Sequence, residues 1–224
     1  MINYKLTRSK RQTVAIYIRN GIAEVRAPLK MLKSDIDRFV ASKEKWIKSK
    51  LMISHEQAKQ RENFDLNYGD TLTYRGKQYP IAAKNGNRVG FDDACFYMPP
   101  NMNPAQIKSA CVQIYRMLAK HTLTEKVFDF AKRMSVMPTA VKINSAKTRW
   151  GSCSARKSLN FSWRLIIADD KVINYVVVHE LAHITEMNHS KRFWAIVEKI
   201  LPDYREQKIK LKELQYRLNV EDWE

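Results

Sequence analysis

The sequence is poor in the residues and segments that mark extracellular, membrane-spanning or disordered proteins. It has only 3 cysteines in 224 residues, and their number and wide spacing fit neither a disulfide framework nor a paired cysteine metal site. No apolar run approaches the roughly 20 residues of a membrane span, and the start MINYKLTRSK lacks the apolar core of a signal peptide. Only 6 Gly and 7 Pro occur, with no repeat, which excludes disordered and solenoid classes. The composition therefore predicts a globular cytoplasmic protein with reduced thiols.

Acidic residues are also scarce relative to basic ones. The chain has 40 Lys and Arg against 23 Asp and Glu, a net charge of +17, which favours nucleic acid or nucleotides as partners. Residues 1–33 carry eight basic residues against only Glu24, and the segment from Phe130 to Ala168 carries eight and no acidic one. We expect the second segment to hold a polyanion near the site described below, with Trp150 and Trp163 as stacking surfaces. The alternative is that these are solvated loop charges and core tryptophans.

The first part of the chain has the pattern of a β-rich region with one long helix. Residues 1–30 alternate apolar and polar side chains, and Asn20-Gly21 is a two-residue hairpin signal. From Ser34 to about Arg61 there is no Pro or Gly, and the apolar spacing predicts a single amphipathic helix with Ser34 as its cap. Tyr68 to Pro99 is rich in β-branched and aromatic residues and is interrupted at Arg75-Gly76-Lys77, which predicts further strands joined by tight turns.

The second part of the chain is predicted to be mainly helical. Helical spacing of apolar residues predicts a long helix from about Pro104 to Met134. Beyond it the pattern indicates strand-like pieces at Ala140–Ser145 and Ser158–Ile167, a helix carrying the motif HELAH, and helices starting near Ser190 and Asp203. The predicted class is therefore α+β, with a β-rich region and long helix in residues 1–100 and a helix-rich catalytic region with a small sheet in residues 101–224.

The motif HELAH has the spacing of a metal-binding helix. Residues four apart lie nearly above one another on a helix, so His179 and His183 are placed to bind one tetrahedral ion. Glu180 lies about 100° around the helix from His179, where a carboxylate can accept a proton from a zinc-bound water. The apolar residues Tyr175 to Val178 just before the motif predict that this helix is buried.

A catalytic zinc site needs a third protein ligand, for which the sequence offers two candidates. Glu186 lies on the metal face if the helix continues past His183. His189 is too far around an unbroken helix and ligates only if the chain turns after about Met187. Asn188 favours such a turn, because Asn tolerates the left-handed conformation and often ends helices, so His189 is the preferred ligand.

Two longer runs give the chain a resemblance to a known family. The runs TRWGSCSARKSLNFSWRLIIA and YVVVHELAHITEMNHSKRFW resemble the YgjP-like metallopeptidase family, a group of zincins related to the SprT-like and WLM metalloproteases. This resemblance implies a zincin-like fold for the catalytic region and a Zn2+ ion as cofactor. It further implies that Glu180 is the base, that Phe193 and Trp194 are core residues, and that the zinc ligands are His179, His183 and His189.

The sequence therefore predicts a zinc-dependent hydrolase, and most directly a metallopeptidase acting on a peptide or protein. We expect Arg149 to stabilise an oxyanion, and Leu159 to Ile167 to be the edge strand beside an extended substrate. The basic segment makes a nucleotide phosphoanhydride hydrolase the first alternative, and a nucleic-acid-binding module with a structural metal the second. Nothing in the sequence specifies the substrate or the oligomeric state.

Overall fold

The computed structural model describes residues 2–19 and 21–223, which form two compact units. Unit 1 contains the chain up to Phe64 together with Asn219–Asp222, and unit 2 contains Asp65–Leu218 and Trp223. The predicted α+β class is confirmed, since a β-rich N-terminal part is followed by a mainly helical one. The boundary predicted at residue 100 concerns the start of the catalytic region, and it stays a prediction. Within the described ranges, none of the helices is long and apolar enough to span a membrane.

Unit 1 is a three-stranded sheet with two helices on one face. Its elements are β1 (Lys5–Ser9), β2 (Ala15–Arg19), β3 (Ile22–Pro28), α1 (Lys33–Ser42) and α2 (Glu44–Glu62). The strand order is β1-β3-β2, with β1 parallel and β2 antiparallel to the central β3. Alternate residues of β3 point inward and form the core with the helices: Ala23, Val25, Ala27, Ile36, Val40 and Ile47. The β2–β3 pairing agrees with the predicted hairpin, although Asn20 itself lies outside the described residues.

The long helix predicted from Ser34 to Arg61 is instead two helices. Lys43 leaves the helical conformation, with φ −106° and ψ 11°, and its N–H bonds to the Val40 carbonyl at 3.0 Å. Ser34 was wrongly predicted as the cap, because α1 begins at Lys33 after Leu32, which makes no side-chain cap hydrogen bond. No Pro or Gly marks the break, so the apolar periodicity runs through it without interruption.

Unit 2 contains two small sheets and four long helices. Its elements are β4 (Thr71–Tyr74), β5 (Lys77–Ala83), β6 (Gly90–Phe91), β7 (Phe96–Met98), α3 (Pro104–Met134), β8 (Ala140–Asn144), β9 (Gly151–Cys153), β10 (Ser158–Ser162), a 3-10 helix (Trp163–Ile167), α4 (Asp170–Ala182), α5 (Lys191–Ile200) and α6 (Tyr204–Leu218). The sheets have the orders β4-β5-β7-β6 and β8-β10-β9. The turn predicted between β4 and β5 is confirmed, with Arg75 and Gly76 both at positive φ, 50° and 77°.

The central helix α3 has the predicted bounds because strong end signals define it. Asn103 and Gln106 form a capping box, in which each side chain accepts a hydrogen bond of 2.9 Å from the other residue's N–H. Ser135 ends the helix in the left-handed conformation, with φ 54°. Pro104 occupies the first position of the helix, where its fixed φ suits the helical conformation. Its missing N–H costs nothing there, because N–H groups in the first turn have no partner within the helix.

The core of unit 2 is built on α3, which packs against the 3-10 helix and α4. Tyr115 of α3 stacks on Trp163 with ring centroids 5.4 Å apart, and Trp223 packs edge-on against both rings at 5.6 Å. Val177, Val178 and their neighbours in α4 are buried as predicted. This aromatic and aliphatic core supports α4 along its length, and α4 carries the histidine motif.

Candidate metal centre

The N-terminus of α4 is fixed by polar contacts on two sides. The side chain of Asp169 caps the helix by accepting a hydrogen bond from the Val172 N–H at 3.0 Å. Arg75 donates two hydrogen bonds, of 2.9 and 2.6 Å, to the carboxylate of Asp170, and Lys126 lies 3.1 Å from the same carboxylate. These contacts join α4 to the β4–β5 turn and to α3. They set the position of the helix whose last turn presents the motif.

The chain turns sharply after the motif, earlier than the sequence predicted. Helix α4 ends at Ala182, whose carbonyl accepts hydrogen bonds from the N–H groups of Thr185 and Glu186 at 3.1 and 2.9 Å. The turn that His189 requires was expected after about Met187, and the helix instead ends five residues earlier. Asn188 is not among the described residues at positive φ. Its side chain instead accepts a hydrogen bond from the Ser190 N–H at 3.1 Å, an Asx turn that also reverses the chain.

This turn brings the three predicted ligand histidines together. The Nε2 atoms of His179 and His189 are 3.0 Å apart, and one ligand atom from each of His179, His183 and His189 lies within 4.8 Å of the others. Ser190 caps α5 by accepting a hydrogen bond from the Phe193 N–H at 3.3 Å, so His189 occupies a fixed position just before a helix. The carboxylate of Glu186 is not part of this cluster.

Glu186 contributes through its main chain. Its carbonyl oxygen lies 3.1 Å from Nδ1 of His183. A proton on Nδ1 makes this a hydrogen bond and leaves Nε2 with its lone pair available to an ion. Second contacts of this kind are what fix the tautomer and orientation of metal-binding histidines.

The histidine cluster has the chemistry of a metal site. Burial, and then His183 and His189, lower the pKa of His179 to about 3, and burial lowers the pKa of His183. Metal binding needs neutral imidazoles, so these environments favour the binding form. Phe193 packs against all three rings, with centroids 4.5 to 4.8 Å away, and Trp194 stacks on His189 at 5.7 Å. Three converging imidazoles fit the protein ligands of a catalytic zinc ion.

Glu180 lies beside this cluster in a tight, buried position. Only 6% of the residue is exposed, and burial raises the pKa of its carboxyl to about 7 against the opposing effect of Arg149. A Cβ atom on Gly151 would lie 2.6 Å from both Cγ and Oε1 of Glu180, so any other residue there requires the Glu180 side chain or the strand to shift. Sequence reasoning missed Gly151, although it stands in the run TRWGSC, because nothing in the sequence indicates this contact.

Arg149 is exposed and is placed within electrostatic range of Glu180. No hydrogen bond between the two side chains occurs in the described part of the chain. The structure therefore puts the predicted residue near the candidate base without fixing the guanidinium in one place. Its predicted role at an oxyanion stays a prediction.

The strand predicted to lie at the sheet edge is in the middle of the sheet. β10 pairs with β8 on one side and with β9 on the other, and Trp163–Ile167 is a 3-10 helix. The edge nearest Glu180 is instead β9, which packs against α4. The carbonyl of Trp150 accepts a hydrogen bond from the Ser162 N–H at 2.9 Å, so by alternation the main-chain groups of Gly151 point away from β10. Among the residues that the structure describes, no strand pairs with this outer edge of β9, which lies next to the buried carboxylate.

Of the eight basic residues in the segment before the motif, seven are exposed and one, Arg164, is buried. Arg164 is buried and donates a hydrogen bond to the Ser145 carbonyl at 2.9 Å, while Lys157 lies in the turn between β9 and β10. Trp163 is only 1% exposed, so the expectation that it offers a stacking surface was wrong; it is a core residue. Arg149 is the member of this segment whose charge lowers the pKa of Glu180.

Comparison with known proteins points to one family. The model of the YgjP-like metallopeptidase domain matches residues 12–214. Among solved structures, the metallopeptidase zymogen of Pyrococcus abyssi abylysin is similar, with 20% identity, a TM-score of 0.38, and coverage of 40% of this chain and 90% of that one. The zymogen of Methanocaldococcus jannaschii jannalysin has 19% identity, a TM-score of 0.37, and coverage of 41% and 94%. A search of curated proteins gives no match.

Proposed function

Since the chain belongs to the YgjP-like metallopeptidase family, we propose that it is a zinc-dependent peptidase whose ligands are His179, His183 and His189 and whose general base is Glu180. The convergence of three imidazoles beside a buried carboxylate is the observation that carries the proposal. The donor set supports zinc, because tetrahedral sites with three histidines and an open position are typical of catalytic zinc. The catalytic region that we propose is residues 101–224.

Each residue has a defined task in the proposed reaction. A bound zinc ion would act as a Lewis acid toward water and the scissile carbonyl. Glu180 accepts a proton from the attacking water and returns it to the leaving amine when the peptide C–N bond breaks. Its raised pKa of about 7 suits a group that both takes and gives a proton near neutral pH. Arg149 is proposed to stabilise the negative charge that develops on the carbonyl oxygen.

The edge strand β9 supports a peptide as the substrate. Outward main-chain groups at Gly151 and Cys153 allow an extended chain to add beside β9 through backbone hydrogen bonds. Such pairing recognises a polypeptide backbone with little dependence on its side chains. A nucleotide offers no matching row of donors and acceptors.

The nucleotide alternative rests on the basic segment. A triphosphate needs several cations around the ion, whereas Arg164 is buried against a main-chain carbonyl and Arg149 is the residue of this segment whose charge acts on Glu180. We therefore favour the peptidase over the phosphoanhydride hydrolase.

The free thiols at Cys95, Cys111 and Cys153 support the proposed cytoplasmic location, where cysteines stay reduced.

The decisive experiment compares wild type with Glu180→Gln. Both proteins should bind about one zinc per chain, because Gln keeps the shape of the side chain and the three imidazoles are unchanged. Peptide hydrolysis, measured with a quenched-fluorescence peptide library, should fall by at least about 100-fold in the variant. Nucleoside triphosphates serve as parallel substrates. Retained peptide hydrolysis in Glu180→Gln contradicts the role of Glu180, and turnover of triphosphates alone contradicts the peptidase assignment.

A further inference from the structure

Residues 1–64 carry about half of the chain's net charge, +9 of +17. Residues 1–64 contain 15 Lys and Arg against 6 Asp and Glu, although they are less than a third of the chain. Five of those six acidic residues lie in or next to α1 and α2, and Glu24 is the only acidic residue of the strand region. On the helices Asp35, Asp37 and Glu44 pair with basic neighbours, as in Lys48–Glu44 at 2.8 Å. Residues 1–32, which contain the three strands, carry +6, and residues 33–64, which contain the helices, carry +3, so the larger share of the excess lies in the strand region.

One face of this sheet points away from the helices. The inward residues of β3 are buried with α1 and α2, so the alternate residues project outward. We name this surface the outer face; it consists of Lys5, Thr7, Tyr17, Arg19, Ile22, Glu24 and Arg26. Strand register places Lys5, Glu24 and Tyr17 in one row across the sheet, and Thr7 beside Arg26 in the next. The outer face thus has three cations and one acidic residue.

An aromatic ring lies among these cations. Tyr17 is 37% exposed, and the guanidinium carbons of Arg26 and Arg19 lie 5.0 and 5.6 Å from its ring centroid. Arg26 has only a long contact of 3.8 Å with Glu24, and Arg19 and Lys5 form no ion pair with any described residue. Beside them Ile22 is 55% exposed, which extends the apolar part of the surface. An exposed ring among cations that lack strong acidic partners is a binding surface for a flat, negatively charged ligand.

Single-stranded nucleic acid has this combination of properties. Its phosphates match the cations, and its unpaired bases have exposed flat faces that stack on aromatic rings and on guanidinium planes. In a duplex the base faces are covered by neighbouring bases, so a duplex would use the cations and leave Tyr17 without a partner. An anionic membrane would use the cations and could accept Tyr17 and Ile22 at its interface, but it offers no flat faces on which the ring can stack.

We infer that the outer face binds single-stranded nucleic acid, with Tyr17 stacking on a base and Lys5, Arg19 and Arg26 contacting phosphates. This binding lies in unit 1 and does not depend on the proposed peptidase site. It gives the chain a second activity, recognition of a polyanion, whose chemistry differs from hydrolysis. The variant Glu180→Gln should accordingly bind with unchanged affinity.

The test measures binding of a fluorescein-labelled 12-nucleotide thymidine oligomer by anisotropy in about 50 mM salt. Wild type should bind with a Kd on the order of 1 to 100 µM. Tyr17→Ala should weaken binding by roughly tenfold, whereas Tyr17→Phe keeps the ring and should stay within about twofold. The retained affinity of Tyr17→Phe separates lost stacking from damage to the fold. Circular dichroism melting of each variant checks that unit 1 stays folded.

A matched pair of double variants tests whether charge on the outer face matters more than charge elsewhere. Arg19→Ala with Arg26→Ala should weaken binding by at least tenfold and reduce the slope of log Kd against log salt by roughly 1 to 1.5. Lys45→Ala with Lys50→Ala removes the same charge from exposed positions of α2 and should change the Kd by less than about threefold.

Four outcomes would overturn the inference. They are an absence of binding by wild type, equal losses in the two double variants, and an unchanged affinity in Tyr17→Ala. The fourth is tighter binding of the duplex form, or of phosphatidylserine vesicles, than of the single strand. A difference between the double variants, together with loss in Tyr17→Ala and retention in Tyr17→Phe, supports it. Failure of peptide hydrolysis leaves this result unaffected, because Glu180→Gln is included as a binding-competent control.

Discussion

The close contact between Gly151 and Glu180 predicts a strong effect of Gly151→Ala. The added Cβ would lie 2.6 Å from Cγ and Oε1 of Glu180 and 2.8 Å from Cδ, whereas unstrained carbon contacts are about 3.5 to 4.0 Å. The carboxylate or strand β9 must therefore shift by about 1 Å. Because Glu180 is buried, it cannot simply rotate into solvent.

A displacement of about 1 Å in a catalytic group costs about 100-fold in rate, which corresponds to ~2.7 kcal/mol of transition-state stabilisation. Overpacking a filled site also costs about 1 to 3 kcal/mol of folding free energy. For a protein of this size each kcal/mol lowers the Tm by about 2 to 4 °C. Gly151→Ala should thus lose about 100-fold in kcat/KM, with a fall in Tm of several degrees and near-normal zinc content.

The assay combines peptide hydrolysis, zinc analysis and thermal melting. Ser152→Ala is the matched control, because the neighbouring residue of β9 points its side chain to the other face of the sheet; its kcat/KM should change by less than about twofold. In the Glu180→Gln background, Gly151→Ala should cause little further loss, since both changes act on the same group. If Gly151→Ala keeps the activity and Tm of wild type, Gly151 is not packed tightly against Glu180. If the variant loses zinc, the substitution has moved the ligands and not the base.

Two other predictions concern the ligands and the anchoring of α4. His189→Ala should lower bound zinc, measured by mass spectrometry after dialysis, to well below 0.5 per chain. Glu186→Ala should retain the zinc, because only the main-chain carbonyl of Glu186 contacts His183. The reverse result would make Glu186 the ligand. Asp170→Asn should lower the free energy of unfolding in urea at pH 7 by about 1 kcal/mol, a modest value because the pair with Arg75 is half exposed. Burial raises the pKa of Asp170, but Arg75 and Lys126 outweigh it and hold the pKa below 3.8. This stability is therefore present above about pH 4 and is lost as the pH falls through the lower, folded pKa; a stability difference that does not shrink as the pH falls below 3.8 would contradict it.

The sequence predicts those parts of the structure that depend on local signals. Pro104 and the helical spacing of the apolar residues after it predict α3, and the predicted bounds agree with the observed ones. The spacing of His179 and His183 is likewise a property of one helix. In both cases the information lies within a few residues, so no knowledge of the tertiary structure is needed.

Features that depend on long-range contacts were missed or wrongly predicted. The apolar residues between Leu159 and Ile167 indicate that this segment is buried. Both the central strand β10 and the 3-10 helix after it are buried, so the two look alike in the sequence. Apolar content therefore cannot distinguish an edge from a centre. The need for glycine at position 151 arises from a side chain 29 positions later in the sequence, Glu180, and is visible only in three dimensions.

The early end of α4 has a consequence for how this segment tolerates sequence change. Between His183 and His189 the chain relies on main-chain geometry, because the carbonyl of Glu186 orients a histidine and the amides of Thr185 and Glu186 close the turn. Substitutions at 184 to 187 should therefore be accepted widely in a saturation library selected for zinc retention. Insertion or deletion of a single residue there should be eliminated, since it moves His189 by about 3.8 Å along the chain. For zinc binding, the number of residues between His183 and His189 should therefore matter more than the identities of their side chains.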